Sequence, residues 1–247
     1  MRLLGLRAMR QSWGMKYEIL PVTRFRQNCS IVWCEATHRA AVIDPGGDLA
    51  DILMYLELLE LDCEVALVTH GHFDHCGAAA RLAGRTGARI EGPHRGDAHL
   101  VGTLGLAGER HGCDAQDFEP SRWLEHGDIV TFGDESLAVL HCPGHTRGHV
   151  AYFDAVSRRA FVGDILFRKS IGAWEHPDGD LPALVASIRD RLFPLGGDVE
   201  FVPGHGPLST FAQERRDNPF VGDDAYARFI ASPAMVHRDT SGDPALP

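Results

Sequence analysis

The chain has 247 residues, of which 44% are hydrophobic and 23% are charged, the composition of a globular protein with a sizeable core. Its formal net charge of −10 argues against a nucleic acid partner, because phosphate backbones bind basic surfaces. No apolar run approaches the roughly 20 residues that cross a bilayer, so we expect no membrane partner.

The two ends differ in composition from the rest of the chain. Residues 1–14 are rich in arginine and lack acids, as transit peptides do, but we interpret them as a disordered or artefactual extension with translation starting at Met15. Residues 222–247 are rich in Asp, Ala and Pro, and we interpret them as a tail with one short helix at residues 224–230. The predicted main domain therefore spans residues 15–221.

The six cysteines carry no pairing pattern. None stands in a C-x-x-C pair, and their spacings match no disulfide framework. In a chain with a core of this size we interpret them as free thiols, which predicts a reducing compartment and a cytoplasmic protein.

Hydrophobic periodicity divides the predicted domain into two halves. In the first half, strands are predicted at residues 17–22, 30–34, 39–43, 65–68 and 89–91. Helices at residues 49–61 and 77–86 separate them, and this alternation predicts helices packed on a sheet. In the second half, an antiparallel series is predicted at residues 129–132, 137–141, 150–153 and 160–162. An amphipathic helix at residues 181–192 and a last strand at residues 199–202 follow.

The segment between the halves, residues 93–126, has no clear periodicity. We predict a helix near residues 97–104 and interpret His94, His99 and His111 as surface residues.

Four metal-binding side chains follow the predicted strand at residues 65–68. They are His70, His72, Asp74 and His75. His70 and His72 stand two apart and can converge on one cation from an extended backbone, whereas Asp74 and His75 point elsewhere and can serve a second. Imidazole and carboxylate ligands suit zinc or iron at a hydrolytic centre.

Three later loops each follow a strand, and each places a candidate ligand directly after a glycine. These ligands are His145, Asp164 and His205. Together with the first loop they supply five histidines and two aspartates, enough for three ligands on each of two cations and one shared carboxylate. Two such cations about 3.5–4 Å apart hold a bridging hydroxide.

The order of these motifs resembles that of the metallo-β-lactamase superfamily, from residue 15 to about residue 221. The motifs are H-x-H-x-D-H at 70–75, Gly-His-Thr at 144–146, Gly-Asp at 163–164 and Pro-Gly-His-Gly at 203–206. Further runs resemble small single-domain members of the glyoxalase II group, at residues 27–30, 44–47, 141–146, 203–210 and 214–220. The resemblance implies an α/β fold, an αββα sandwich with the metal site at one edge.

By this resemblance each candidate ligand takes a role. One metal is held by His70, His72 and His145, a second by Asp74, His75 and His205, and Asp164 bridges the two. Asp74 is also expected to orient the attacking hydroxide, which makes it the catalytic residue. His149 is expected to support the site through hydrogen bonds, and His176 receives no role.

The resemblance implies a metal-dependent thioester hydrolase. The expected reaction is cleavage of S-2-hydroxyacylglutathione, such as lactoylglutathione, by the bridging hydroxide. The expected cofactors are two divalent ions, with zinc first and iron or manganese as alternatives, and the expected partner is a small glutathione-linked thioester. The oligomeric state is not indicated.

Other functions share these motifs. A persulfide dioxygenase would use one iron, held by His70, His145 and Asp164, to oxidise glutathione persulfide. Hydrolysis of β-lactams or lactones uses the same metal chemistry, and a metal-binding module without catalysis is the remaining alternative.

The chain departs from the family at the expected glutathione site. Two-domain glyoxalase II enzymes carry a helical domain that helps to bind glutathione, and we expect no counterpart of it after His205. Ala173 stands where family members tend to place a cation, and the nearby Arg168 and Lys169 are our candidates for substrate binding. We therefore expect weak binding of glutathione.

Overall fold

The structure, a computed structural model, describes residues 15–231, and within them two β-sheets pack face to face. The predicted extension at residues 1–14 lies outside the described residues, as does the tail from residue 232 onward. No helix between residues 15 and 231 is long and apolar enough to cross a bilayer.

The first sheet combines an antiparallel part with a parallel part. Its strands are β1 (Lys16–Val22), β2 (Gln27–Trp33), β3 (Arg39–Ile43), β4 (Asp62–Leu67) and β5 (Arg89–Glu91). Strands β1 to β3 pair antiparallel, whereas β3 to β5 pair parallel. All five match predicted strands. Strand β2 begins at Gln27 rather than residue 30, because the preceding turn is tight and Gln27 already pairs with Val22.

The second half of the chain forms the second sheet and a small hairpin. Its strands are β6 (Ile129–Phe132), β7 (Glu135–His141), β8 (Val150–Asp154), β9 (Arg159–Gly163), β10 (Leu166–Phe167), β11 (Ser170–Ile171), β12 (Glu200–Pro203) and β13 (Ser209–Thr210). The order across the sheet is β13-β12-β9-β8-β7-β6, and β10 pairs only with β11. Strands β6 to β9 are antiparallel as predicted, whereas β12 runs parallel to β9.

Helices cover the outer face of each sheet. They are α1 (Leu49–Leu58), α2 (Phe73–Cys76), α3 (Ala79–Thr86), α4 (Ala98–Val101), α5 (Leu104–Arg110), α6 (Leu181–Ala186), α7 (Phe211–Asp217) and α8 (Asp223–Ile230). Helix α1 ends before the predicted residue 61 because Glu60 adopts a left-handed backbone with φ 53°. The helix predicted within the tail is α8, and its Tyr226 and Phe229 pack on the outer face of the second sheet.

Side chains alternate between the two faces of each strand, so both faces of each sheet can be covered, which produces four layers of helices and sheets. Along β3, Ala40 and Val42 face the core beneath α1 and α3, whereas Ala41 and Ile43 face the core between the sheets. That central core joins residues of both sheets, and a third core lies beneath α6 and α7. The αββα sandwich implied by the resemblance is confirmed.

The candidate ligand loops all leave one edge of this sandwich. Strands β3 and β4 are parallel, and their carboxyl ends lead to residues 44–47 and 70–75. Strands β7, β9 and β12 share one direction in the second sheet, and they lead to His145, Asp164 and His205. Residues from four distant parts of the chain therefore converge without any long excursion of the backbone.

Candidate metal centre

Three imidazole nitrogens meet at the first position, which we call the first donor set (His70, His72 and His145). His70 Nε2 lies 3.1 Å from His72 Nδ1, and His145 Nε2 lies 3.1 Å from the same atom. Their donor atoms all lie within 4.8 Å of one another. A catalytic zinc site typically has three protein ligands and leaves the fourth coordination position open for water or substrate.

A second donor set (Asp74, His75 and His205) lies beside the first. His205 Nε2 lies 3.3 Å from Asp74 Oδ2 and 3.3 Å from His75 Nε2. His75 Nε2 lies 3.9 Å from Asp74 Oδ2. Helix α2 explains how consecutive residues serve one position, since it turns the chain sharply after His72 and brings Asp74 and His75 to the same side.

The Asp164 carboxylate lies between the two donor sets. Its Oδ1 is 3.4 Å from His75 Nε2, and its Oδ2 is 3.7 Å from both His145 Nε2 and His205 Nε2. Oδ1 is buried without a hydrogen-bond partner. An orphaned buried carboxylate oxygen is costly unless a cation binds it, so the residues present fit divalent metal ions at the two donor sets.

Hydrogen bonds on the far side of the rings set the tautomers of four histidines. The Nδ1–H groups of His145 and His205 donate to the carbonyl oxygens of Ala173 and Phe25, at 2.8 and 3.2 Å. The Nδ1 atoms of His70 and His75 lie 3.0 Å from Thr69 Oγ1 and 2.9 Å from Asp44 Oδ2. With Nδ1 protonated, each Nε2 presents its lone pair to the metal position.

Asp44, at the end of β3, fixes two of these tautomers. Its carboxylate accepts hydrogen bonds from the Thr69 amide and hydroxyl groups, each at 2.7 Å, and from His75 Nδ1–H. Because the Thr69 hydroxyl group donates its hydrogen bond to Asp44, Thr69 Oγ1 must act as the acceptor for His70 Nδ1–H. Asp44, His70 and His75 also form a third group with metal-ligand spacing, but these hydrogen bonds already satisfy it.

Asp97 joins the two ligand loops of the first donor set, and the sequence analysis assigned it no role. Its buried carboxylate accepts from the Gly71 amide at 2.9 Å, the Thr146 hydroxyl at 2.7 Å and the Gly148 amide at 2.6 Å. Burial raises the pKa of this carboxyl group, although the three donors oppose that effect. Residue 97 lies in the segment without periodicity, so no local pattern could have identified it.

Asn28 holds the loop that carries His205. Its side-chain amide donates to the carbonyl oxygens of Pro203 and Gly206, both at 2.9 Å, and its backbone amide donates to Gly204 at 2.7 Å. A side chain at position 204 would overlap Asp164 Oδ1 and the His75 ring, which explains the glycine before His205. The motif at residues 27–30, noted only as a resemblance, thus supports a ligand loop.

His149 lies against the site but has no free nitrogen. Its Nδ1–H donates to the Val150 carbonyl oxygen at 3.0 Å, and its Nε2 accepts from the Asp164 amide at 3.0 Å. Its ring stacks on His70 at a centroid distance of 4.5 Å. These contacts are those of a residue that orients two candidate ligands.

Burial and charge act differently on the two donor sets. Burial lowers the pKa of all three histidines in the first set, that of His72 to about 3. Burial would also lower the pKa values of His75 and His205, but the carboxylates of Asp74 and Asp164 outweigh it and raise both. Burial opposes ionisation of Asp164, yet His75 and its neighbours hold the pKa of that carboxyl below its usual range. The first set is therefore neutral and ready to bind a cation.

The remaining predicted residues lie around the rim. Arg168 and Lys169 are exposed at the turn between β10 and β11, and the ring of Phe167 in that hairpin lies 6.4 Å from the His205 ring. His99 and His111 are exposed, whereas His94 is partly buried and stacks on His141. None of these three histidines enters either donor set.

His176, given no role from the sequence, lies at the edge of the first donor set. Its ring centroid is 5.3 Å from that of His145 and 5.7 Å from that of His72. Its Nε2 lies 3.2 Å from the Ala173 carbonyl oxygen that His145 also uses. No sequence pattern marks His176 as a site residue, because it follows no predicted strand and stands at no ligand-like spacing from another candidate ligand.

Known proteins share this fold and much of this sequence. Residues 22–210 match the family described as the metallo-beta-lactamase superfamily. The chain is 41% identical over 209 residues to "Hydroxyacylglutathione hydrolase GloC" of Haemophilus influenzae, which covers 84% of this chain and 98% of that protein.

Two crystal structures extend the comparison to three dimensions. The BLEG-1 B3 metallo-beta-lactamase superposes with a TM-score of 0.77 at 30% identity, covering 83% of this chain and 99% of that one. TTHA1623 in a di-iron-bound form superposes with a TM-score of 0.75 at 35% identity, covering 82% and 99%. Sequence, fold and donor sets agree, and the chain belongs to the metallo-β-lactamase superfamily, as a metallohydrolase of the glyoxalase II-like group.

Proposed function

We propose that this protein is a thioester hydrolase that cleaves S-2-hydroxyacylglutathione, such as lactoylglutathione, into a 2-hydroxy acid and glutathione. The observation that carries the proposal is the pair of complete donor sets with Asp164 between them. The name of the Haemophilus influenzae relative supports the substrate class. The proposal includes a cytoplasmic location, which rests on the six free cysteines.

The proposed cofactors are two divalent ions. His70, His72 and His145 would hold one, Asp74, His75 and His205 the other, and Asp164 both. Zinc suits these imidazole and carboxylate donors, and iron or manganese are the alternatives, iron being present in the TTHA1623 structure. When bound, the ions supply a water of lowered pKa and polarise the thioester carbonyl group.

Protein groups then handle the protons and the geometry. Asp74 is a hydrogen-bond acceptor only, because burial alone would raise the pKa of its carboxyl, but His75 and His205 outweigh burial and hold that pKa below its usual value. It can therefore orient the attacking water through that water's proton. Water adds to the carbonyl carbon, one of its protons passes along the hydrogen bond to Asp74 and on to solvent, and the carbon–sulfur bond breaks with its electron pair leaving on sulfur. The departing thiolate is a stable anion, so no dedicated general acid is needed.

The proposal predicts metal content and reaction together. Purified protein saturated with zinc or iron should carry two ions per chain by elemental analysis. It should hydrolyse S-lactoylglutathione, and removal of the ions by a chelator should abolish that turnover until metal is returned. Oxygen uptake with glutathione persulfide should be absent. One ion per chain at saturation, together with persulfide-dependent oxygen uptake, would replace the proposal by the dioxygenase.

Replacing Ala173 by arginine should improve glutathione binding. Ala173 is exposed, and it contributes to the site only through its carbonyl group, which the substitution leaves in place. A hydrogen bond to a charged group is worth about 1.5–3 kcal/mol, or roughly ten- to a hundredfold in binding. We expect KM for S-lactoylglutathione to fall at least severalfold, with kcat nearly unchanged.

The matched control for this change is Ala173→Met, which adds length without charge. It should leave KM where it was. If Ala173→Arg also leaves KM unchanged, a cation at this position does not reach the carboxylates of glutathione, and the explanation for weak binding is wrong.

A further inference from the structure

The β10–β11 hairpin forms a wall beside the second donor set. It begins two residues after Asp164, and its two short strands pair Phe167 with Ser170. Its Phe167 ring lies 6.4 Å from the ring of His205. The turn of this hairpin consists of Arg168 and Lys169, so two cationic residues stand at the rim of the metal centre.

These two cations are available to a ligand. Both residues are exposed, and within residues 15–231 neither forms an ion pair with an acidic group at 4.0 Å or less. Arg216 chiefly lowers the pKa of the exposed Asp217 carboxyl, and Lys169 helps to lower it without forming an ion pair with that carboxyl. On a chain with a formal net charge of −10, this exposed cationic turn is a local exception. Its chemistry suits an anion such as a carboxylate.

The turn is held in an unfavourable backbone conformation. Lys169 has φ 61°, the left-handed region that residues with a Cβ rarely adopt. Such a conformation persists only when neighbouring groups enforce it. The enforcing group here is Glu214 of α7, whose Oε2 accepts a hydrogen bond from the Lys169 amide at 2.7 Å.

Glu214 is fully buried, and its carboxylate accepts three hydrogen bonds. Besides Lys169, its Oε2 accepts from Asn218 Nδ2 at 2.9 Å, and its Oε1 accepts from the Ser209 hydroxyl at 2.5 Å. No cationic side chain pairs with it among the described residues. A buried carboxylate is costly, and here three neutral donors stabilise it.

Asn218, directly after α7, holds the same hairpin at its strand β11. Its Nδ2 also donates to the Ser170 carbonyl oxygen at 3.0 Å, and its Oδ1 accepts from the amides of Phe220 and Val221. The turn of the hairpin and its strand β11 are therefore tied to one buried pair of α7 and the residue that follows it.

We propose that Glu214 is a positioning residue which holds the hairpin so that Arg168 and Lys169 dock the carboxylates of the thiol carrier. The inference rests on the proposed thioester hydrolase function, and it names the part of the rim that recognises the carrier. Glu214 acts only through the hairpin and touches neither the thioester nor the metal position.

The test compares a carrier with and without its negative charges. Binding of S-methylglutathione and of its dimethyl ester is measured by calorimetry on the metal-loaded protein, and kcat and KM are measured for S-lactoylglutathione and its dimethyl ester. Two variants are compared. Glu214→Gln puts an NH₂ group where the carboxylate accepted hydrogen bonds from three donors, and Arg168→Ala/Lys169→Ala removes both exposed cations of the turn. The control is Glu200→Gln, at the opposite end of β12 from His205.

The wild type should bind the free acid about tenfold more tightly than the diester, the weight of one charged hydrogen bond. Glu214→Gln and the double variant should both lose this preference, with KM for S-lactoylglutathione about tenfold higher and kcat within about twofold. Metal content should stay unchanged, and Glu200→Gln should behave as wild type.

Three results would overturn the inference. If the wild type binds the free acid and the diester equally, there is no docking site for the carboxylates. If the double variant keeps the preference for the free acid, Arg168 and Lys169 are not that site, and this result decides even if Glu214→Gln does not fold. If Glu214→Gln lowers kcat equally on both substrates, its role is structural only. Absence of thioester hydrolysis by the wild type refutes the proposed function instead, and the binding measurements still decide the role of the hairpin.

Discussion

Replacing His205 by alanine should remove one of two bound ions and lower kcat/KM for S-lactoylglutathione by at least about a hundredfold. His205 supplies one of three donors in the second set, and its Nε2 lies 3.3 Å from both Asp74 Oδ2 and His75 Nε2. Loss of a group that only orients a ligand already costs about 10–100-fold in metal affinity or activity, so loss of a donor should cost more. Elemental analysis and steady-state kinetics measure both effects.

The fold should survive this change. His205 lies in a loop beyond the last strand, is partly exposed, and makes its remaining hydrogen bond to a backbone carbonyl group. Thermal unfolding followed by circular dichroism should show a similar transition after metal removal in variant and wild type. The matched control is His126→Ala, an exposed histidine outside both donor sets, which should retain two ions and full turnover. Two ions and normal hydrolysis in His205→Ala would contradict the proposed ligand assignment.

Replacing Asp44 by asparagine should weaken both the fold and the second metal position. The Asp44 carboxylate accepts three hydrogen bonds from Thr69 and His75 and donates none. An asparagine side chain must turn an NH₂ group toward one of these donors, and a buried donor left unpaired costs about 1–3 kcal/mol. Asparagine tolerates the left-handed backbone of this residue, φ 54°, so the effect reports the lost acceptor.

Metal binding at the second donor set should be lost before the protein unfolds. Without Asp44, His75 no longer has its Nδ1 proton anchored, and its Nε2 lone pair is no longer held toward the second position. We expect about 10–100-fold weaker binding of one ion, measured by competition with a chelating dye, and a lower unfolding temperature. Asp62→Asn is the control, since Asp62 is an exposed residue at the opposite end of the same sheet and pairs only with surface arginine. Unchanged metal affinity in Asp44→Asn would show that Asp44 does not set the His75 tautomer.

The strands were predictable because their hydrophobic pattern is local. Residues 39–43 and 65–68 show the apolar runs of buried strands; the structure has β3 with the predicted bounds, whereas β4 begins three residues earlier, at Asp62. Elements without room for a pattern were missed, namely the two-residue strands of the β10–β11 hairpin and of β13, and the helix α7 that follows β13. Strands of two residues contain no full period, and only pairing with a neighbour defines them.

The candidate ligands were also visible in the chain, because metal ligands are chemically distinctive and stand at strand ends. The histidines and aspartates at residues 70–75 could be assigned to metal chemistry from their types and spacing alone. How Asp164 lies between the two sets required the structure, since it depends on β9 running beside β12 in one sheet while residues 70–75 leave the other.

Only the tertiary structure decided which ordinary polar residues support the site. Asp97, Asn28 and Glu214 are ordinary polar residues in the sequence, and each forms at least one hydrogen bond to a backbone group 45 or more residues away. Such bonds depend on where the backbone of another loop passes, which neither composition nor periodicity encodes locally. The amino-acid sequence by itself determined which side chains could bind metal ions, whereas the packing of its two sheets decided the tautomers, the loop positions and the placement of the β10–β11 hairpin beside the second donor set.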